Sequence, residues 1–119
     1  MNTKQGKQYD LEDRTMQFAE GVIEYCKSIR HDTVITPLVS QLVRSASSIG
    51  ANYQEANGAA SKRDFRNKIF VCKKEAMETK YWLRLLAKAT GQEVDVCRKL
   101  WKEAHELTLI FSKIASSSR

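Results

Sequence analysis

Apolar residues recur along this chain at alternating intervals of four and three positions, in four segments separated by short polar breaks. Such heptad-like spacing places the apolar side chains on one face of a helix. On the first segment, about residues 11–29, that face carries Leu11, Thr15, Phe18, Val22, Tyr25 and Ile29. On the second, about residues 36–57, it carries Leu38, Leu42, Ser45, Ile49, Tyr53 and Ala56.

The third and fourth segments continue the same spacing. The third, about residues 61–90, carries Phe65, Ile69, Cys72, Ala76, Thr79, Leu83 and Leu86, and its apolar face is widened by Phe70, Met77, Trp82 and Leu85. The fourth, about residues 95–115, carries Cys97, Leu100, Ala104, Leu107, Phe111 and Ile114. Four helices of roughly 20 residues with short connections predict an all-α, antiparallel up-down-up-down four-helix bundle. We expect it to span residues 10–115, with flexible termini at 1–9 and 116–119.

Capping residues predict where the four helices begin and end. Candidate N-caps are Asp10, Thr36 with Pro37 after it, Ser61 with Asp64 three positions on, and Asp95. Their side chains can accept hydrogen bonds from the free backbone N–H groups of a first helical turn. Asn57-Gly58 and Thr90-Gly91 are natural stops for the second and third helices.

The second helix carries unusually little charge for a surface helix. From Gln41 to Asn57 its only charged residues are Arg44 and Glu55. Both fall with Ser48 and Ala51 on one narrow stripe, well away from the apolar face. The small residues and sparse opposite charges predict a subunit interface of a homo-oligomer, formed by Arg44, Ser48, Ala51 and Glu55. The competing interpretation is an ordinary solvated face.

Positive charge is concentrated on the third helix. Residues 62–88 hold nine basic and three acidic residues, a balance of +6 that equals the formal net charge of the whole chain. Such a helix can follow a phosphate backbone. The candidate nucleic-acid-binding residues are Lys62, Arg63, Arg66, Lys73, Lys74, Lys80 and Arg84. The alternative is a solvated charged face, since charge runs usually are that.

Motifs for catalysis, metals and membranes are missing from the sequence. It has no P-loop, nucleophile elbow or Glu-x-x-His pair, and its two histidines, His31 and His105, are far apart. Glu75 and Glu78 are expected to form surface or interhelical ion pairs rather than a catalytic pair. The three cysteines are expected to be reduced and buried. We therefore predict no enzyme, catalytic residue, metal or cofactor, and a cytoplasmic protein without membrane association.

Several short motifs resemble a known family. They include Tyr9-Asp10-Leu11, Gln41–Ala46, Ser48–Tyr53, Lys73–Ala76 and Tyr81-Trp82-Leu83. Together they cover about residues 9–115, and the chain resembles the small bacterial four-helix-bundle family of proteins encoded by intervening sequences of 23S ribosomal RNA genes, also labelled S23 ribosomal proteins.

The resemblance implies a four-helix bundle that assembles into a homopentamer. A related group of retroelement accessory proteins implies nucleic acid and a reverse transcriptase as partners. The leading functional hypothesis is a non-enzymatic homo-oligomer, with a pentamer expected, that binds RNA or DNA through its third helix. The alternative is a protein-interaction or scaffolding module without affinity for nucleic acid.

Overall fold

The computed structural model describes residues 10–91 and 94–118. That part of the chain forms four α-helices and no strand, namely α1 (Leu11–Ser28), α2 (Ile35–Asn57), α3 (Lys62–Thr90) and α4 (Asp95–Ser117). The predicted all-α, four-helix fold is therefore confirmed. Helix α4 continues two residues beyond the predicted boundary at 115, and the predicted flexible segment 1–9 lies outside the described residues.

The helices pack in the order in which they occur along the chain. Helix α1 packs on α2, α2 on α3 and α3 on α4, and α4 closes the bundle by returning to α1. The connections 29–34, 58–61 and 91–94 are too short to run back along a helix, so consecutive helices are antiparallel. Within the described residues the backbones of α1 and α3 do not approach each other, and neither do those of α2 and α4. Each of these pairs therefore occupies diagonally opposite corners of the bundle.

The core is built mainly from the predicted heptad positions, together with buried Ile35, Ala46, Ala87 and Ala115, which were not among them. The largest fully buried side chains come from all four helices and include Val22, Leu42, Ile49, Ile69, Leu83, Leu107 and Phe111. Tyr53 and Phe111 meet across the bundle with their ring centroids 5.7 Å apart. Burial of each such side chain contributes about 1.5–3 kcal/mol to folding.

Two residues expected to widen the apolar face of α3 lie outside the core. Phe70 and Met77 are half-exposed, whereas Trp82 and Leu85 are partly buried. At about 100° per residue, Phe70 and Met77 lie on the far side of Ile69 from the other core residues of α3. The interpretation of these two residues as core was therefore wrong.

Small and polar residues allow α2 to pack closely against both of its neighbours. A Cβ atom on Gly50 would lie 2.8 Å from Oγ1 of Thr15 on α1, so only glycine fits at this crossing. On the other flank of α2, the hydroxyl oxygens of Ser45 and Thr79 lie 2.9 Å apart in the buried contact with α3. These two buried hydroxyls are thus hydrogen-bonded to each other, as burial of a hydroxyl requires.

Helix α3 begins and ends as its sequence predicts. The backbone N–H of Asp64 donates to Oγ of Ser61 at 3.0 Å, which confirms the N-cap. Gly91 ends the helix with φ of 72°, a conformation that glycine adopts without strain. Helix α2 also ends as predicted, at Asn57 before Gly58.

Two residues predicted as N-caps, Thr36 and Asp95, lie inside their helices instead. Helix α2 begins at Ile35, ahead of Thr36, because Oδ1 of Asp32 accepts from the backbone N–H groups of Val34 and Ile35 at 2.9 and 2.8 Å. Asp95 is the first residue of α4, and Val94 holds its N-cap position.

Asp10 does occupy the N-cap position of α1. Its backbone oxygen accepts from the Arg14 N–H at 2.8 Å, although its side chain makes no capping bond.

All three cysteines are buried thiols, as predicted. Burial raises the pKa of Cys26 to about 11, and burial likewise raises the pKa of Cys72 to about 12. Both thiols are therefore protonated and unreactive at neutral pH. Among the described residues, no helix has the length and apolar character needed to cross a bilayer, and no cluster of potential ligands could hold a metal ion.

Candidate nucleic-acid interface and subunit surfaces

Helix α3 presents three distinct surfaces. Contacts with α2 fix one flank, since Glu75, Glu78 and Lys68 bond to side chains of that helix. Contacts with α4 fix the other flank, where Lys80 meets His105 and Arg66 meets the end of α4. Between these two flanks, on the side away from the core, lies an outward surface.

The flank of α3 against α2 contains a network of ion pairs. Arg44 on α2 donates from Nη2 to Glu78 Oε2 at 2.8 Å and from Nη1 to Glu75 Oε1 at 3.3 Å. The Trp82 indole N–H also donates to Glu78, at 3.4 Å. Nearer the start of α3, Lys68 donates to Glu55 at 2.6 Å. Each of these charged side chains therefore has a partner within the chain, with Arg44 shared by two carboxylates.

These ion pairs shift the pKa values of the groups that form them. Although desolvation opposes ionisation of Glu78, the hydrogen bonds from Arg44 and Trp82 hold the pKa of this carboxyl below its usual range. The same pairing with Glu78 raises the pKa of Arg44, and the bond to Glu55 raises the pKa of Lys68. The carboxylate of Glu75 is nearly buried, so Arg44 is its main compensation within the bundle.

This network identifies partners for two of the predicted interface residues. Arg44 and Glu55 were expected to pair with a partner helix, and both pair with α3 of their own chain. The other two predicted residues lie beside them on α2, with Ser48 half-buried and Ala51 exposed. Between Arg44 and Glu55, the outer surface of α2 at Ser48 and Ala51 is small and uncharged. The ion-pair interpretation of Glu75 and Glu78 is confirmed, with Arg44 as their partner.

The flank of α3 against α4 carries a row of basic residues. At about 100° per residue, its five members fall within about 40° of the helix circumference. We call this group the basic row, and it consists of Lys62, Arg66, Lys73, Lys80 and Arg84. From first to last it extends about 33 Å at 1.5 Å per residue. Within the described residues, none of its members lies within ion-pairing distance of a carboxylate.

Two members of the basic row contact groups of α4 other than carboxylates. Lys80 Nζ lies 3.1 Å from Nδ1 of His105 and 5.2 Å from the ring centroid of Trp101. The Trp101 and His105 rings are stacked at a centroid distance of 5.3 Å. Arg66 donates to the backbone oxygen of Ser118 at 3.2 Å. These contacts position the cations without neutralising them.

Sequence reasoning missed the cluster of Lys80, Trp101 and His105. The spacing of Trp101 and His105, four residues apart on one helix, was the available signal, because such pairs face the same way. Their position opposite Lys80 depends on how α3 and α4 pack, which neither helix specifies alone.

The remaining predicted nucleic-acid-binding residues, Arg63 and Lys74, lie on the outward surface of α3. They alternate there with three exposed apolar side chains, Phe70, Met77 and Tyr81. The structure therefore divides the seven candidates into the basic row and two residues of a mixed basic and apolar surface. Neither the division nor the apolar component was predicted.

A further ion pair joins the first and last helices. Arg14 donates from Nε and Nη2 to the two carboxylate oxygens of Glu103, at 2.6 and 2.9 Å. This bidentate pairing raises the pKa of Arg14 and fastens α1 to α4 where these helices meet.

Comparisons with known proteins agree with this architecture. The profile of the family described as "23S rRNA-intervening sequence protein" matches residues 7–113. The chain is also similar to a crystal structure of a protein with unknown function from the S23 ribosomal protein family of Bacteroides thetaiotaomicron VPI-5482. The TM-score is 0.77 at 30% identity, over 87% of this chain and 96% of that chain. No curated protein matches the chain. The resemblance seen in the sequence motifs is therefore confirmed.

Proposed function

The chain belongs to the 23S rRNA-intervening sequence protein family, and from that premise we propose a non-enzymatic homo-oligomer that binds RNA or DNA along α3. The solved relative is itself described as a protein with unknown function, so the proposal rests on this chain's own residues. The sequence contains no catalytic motif, which supports a binding role.

The basic row is the observation that carries the proposal. Its five cations extend about 33 Å along one flank of α3, and no carboxylate of the described residues neutralises them. The opposite flank has its charges paired within the chain. Free cations at this spacing favour a phosphate backbone, whose counterions are released on binding. Affinity then depends on charge and shape more than on base sequence.

The test is a titration of fluorescently labelled RNA and DNA oligonucleotides, single- and double-stranded, across a range of salt concentrations. The variant Arg66→Glu/Lys73→Glu/Arg84→Glu reverses three members of the basic row. We expect it to weaken binding by about 100-fold or more at low salt, and to reduce the salt slope by about three.

The matched control reverses three exposed basic residues outside α3. Arg30→Glu/Lys99→Glu/Lys113→Glu changes the net charge by the same amount and should retain most of the affinity. Equal weakening by the two variants would show that overall charge decides binding, and absence of binding by the wild type would refute the proposal.

Assembly into a homo-oligomer is the second part of the proposal, with five copies as the expected number. The small, uncharged outer surface of α2 supports a close helix contact at Ala51. Light scattering should give several times the 13.6 kDa of one chain. Ala51→Trp should reduce that mass, and a monomeric wild type would refute the assembly.

A protein-interaction module is the alternative function. The observation that favours it is the exposed apolar group Phe70, Met77 and Tyr81, since surface aromatic residues frequently mark protein contacts. The resemblance to retroelement accessory proteins implies a reverse transcriptase as one such partner. Recovery of one protein partner after nuclease treatment, with no oligonucleotide binding by the purified protein, would favour this alternative.

A further inference from the structure

Two helices of this bundle expose apolar side chains in regular rows. On α3, Phe70 and Met77 are 49% and 50% exposed, seven residues apart. On α1, Met16 and Ile23 are also about half exposed and also seven residues apart. Residues spaced by seven lie on nearly the same side of a helix, so each pair forms one continuous stripe. A helix normally turns such a stripe toward another protein surface.

The charges at the centres of the two stripes are opposite. Glu20 lies between Met16 and Ile23, whereas Lys74 lies between Phe70 and Met77, and in both stripes the charged residue follows the first apolar residue by four positions. Asp13 and Glu24 add negative charge near the α1 stripe, which Lys27 ends four residues after Ile23, and Arg63 adds positive charge near the α3 stripe. The two stripes therefore match in apolar spacing and are complementary in charge at their centres.

A single chain cannot bring these stripes together. Helices α1 and α3 occupy diagonally opposite corners of the bundle, and their outward surfaces face in opposite directions. Contact between the stripes therefore requires two copies of the chain. Such a contact joins different surfaces of the two copies, so each copy retains one free stripe of each kind, and repetition gives a closed ring or an open filament.

We propose that the α1 stripe (Met16, Glu20, Ile23) of one copy docks on the α3 stripe (Phe70, Lys74, Met77) of the next. This inference rests on the homo-oligomer proposed above and assigns it a pair of surfaces distinct from the α2 surface at Ala51. The apolar residues supply the buried centre of the contact, and Glu20 pairs with Lys74 beside it. The basic row on the α4 flank of α3 remains available for nucleic acid.

The first test places a charge in the apolar centre. Phe70→Glu and Met77→Glu should each lower the mass measured by light scattering and sedimentation to that of one chain at micromolar concentration, because a carboxylate would be buried there. Both residues are half-exposed in the single chain, so both variants should keep wild-type helical content. Lys99→Glu, an exposed substitution on α4, is the matched control and should leave the mass unchanged.

The second test exchanges the charges. Glu20→Lys and Lys74→Glu should each raise the protein concentration at half-dissociation by about tenfold, since like charges then face each other. The double variant Glu20→Lys/Lys74→Glu should restore the wild-type value. A mixture of the two single variants should assemble at lower concentration than either variant alone, because contacts between unlike copies have opposite charges and a ring of five then needs only one contact between like copies.

The outcomes separate this inference from the proposed function. If Ala51→Trp dissociates the oligomer while all substitutions in the two stripes leave it intact, the assembly stands and the stripe contact is refuted. If Phe70→Glu abolishes oligonucleotide binding without changing the mass, the α3 stripe contacts nucleic acid instead. A monomeric wild type refutes both the assembly and the contact.

Discussion

The two flanks of α3 differ in where their charges are neutralised. Toward α2, the carboxylates of Glu75 and Glu78 share Arg44, and Lys68 binds Glu55. Toward α4, within the described residues, the basic row meets no carboxylate, and its contacts are a histidine ring, an aromatic face and a backbone oxygen. Helix α3 therefore has one flank whose charged side chains pair with α2 and another whose cations remain available to a ligand.

This difference shows how a single amphipathic helix can combine stability with binding. Paired charges between α2 and α3 fix how these helices pack, and any ligand would have to displace those partners. Unpaired cations repel one another and therefore reduce stability slightly, while they attract a polyanion. The same helix thus contributes structure on one side and a candidate interface on the other.

The largest expected effect on stability comes from breaking the paired flank at its centre. Arg44→Ala leaves the nearly buried carboxylate of Glu75 without its cation, and we expect a loss of about 1–3 kcal/mol in the free energy of unfolding. Urea denaturation at a fixed protein concentration measures this loss. Arg44→Ala/Glu75→Gln should recover at least half of it, because the nearly buried charge is then removed and the carboxylate of Glu78, which also loses Arg44, is more exposed to water. If the double variant is no more stable than Arg44→Ala, desolvation of Glu75 does not explain the loss.

On the opposite flank, removal of a cation should cost less. Lys80→Met keeps the apolar stem over Trp101 but loses the contact with His105 and the cation–π interaction, while it also relieves repulsion within the basic row. We expect the free energy of unfolding to change by no more than about 1 kcal/mol. The same urea experiment serves as the measurement. A loss equal to that of Arg44→Ala would contradict the distinction between the two flanks.

The sequence predicts those features that depend on one helix at a time. The spacing of Ile69, Cys72 and Ala76 places them in the core without reference to any partner, and all three are fully buried. Ser61 and Gly91 act on residues within one turn, so their roles as caps follow from local chemistry. Asp32 was missed although its position three residues before Ile35 was a sufficient capping signal.

Features that depend on packing between helices could not be predicted in the same way. Phe70 lies one position from buried Ile69, and its exposure follows from the side of α3 on which α4 packs. The partners of Arg44 lie 31 and 34 residues further along the chain. The sequence stripe identified Arg44 as a charge in need of a partner, but many acidic residues were available. Only the register between α2 and α3 selects Glu75 and Glu78.

A smaller effect should appear as a pH dependence of the paired flank. The pKa of Glu78 is lowered in the folded chain, so its ion pair stabilises the fold fully above the ordinary carboxyl pKa of about 4.3. That stability is lost as the pH falls through the lowered folded pKa. We expect Glu78→Gln to be about 0.5–1 kcal/mol less stable than wild type at pH 7, and the difference to shrink as the pH falls through the lowered pKa of Glu78. A difference that is independent of pH would show that Glu78 acts through packing.

The smallest expected effect concerns the exposed pair of Glu55 and Lys68. This pair tests the α2-facing flank of α3 near the start of the helix. Their side chains are 59% and 41% exposed, so water and salt screen the attraction despite the short distance of 2.6 Å. Glu55→Gln should lower the free energy of unfolding at low salt by less than Glu78→Gln does. In 1 M NaCl, where the screening length is about 3 Å, wild type and variant should coincide in urea denaturation. Since Arg44→Ala leaves a nearly buried carboxylate unpaired, its loss in the free energy of unfolding should persist at the same salt concentration. If 1 M NaCl abolished the losses of both variants, burial would not distinguish the two ion pairs.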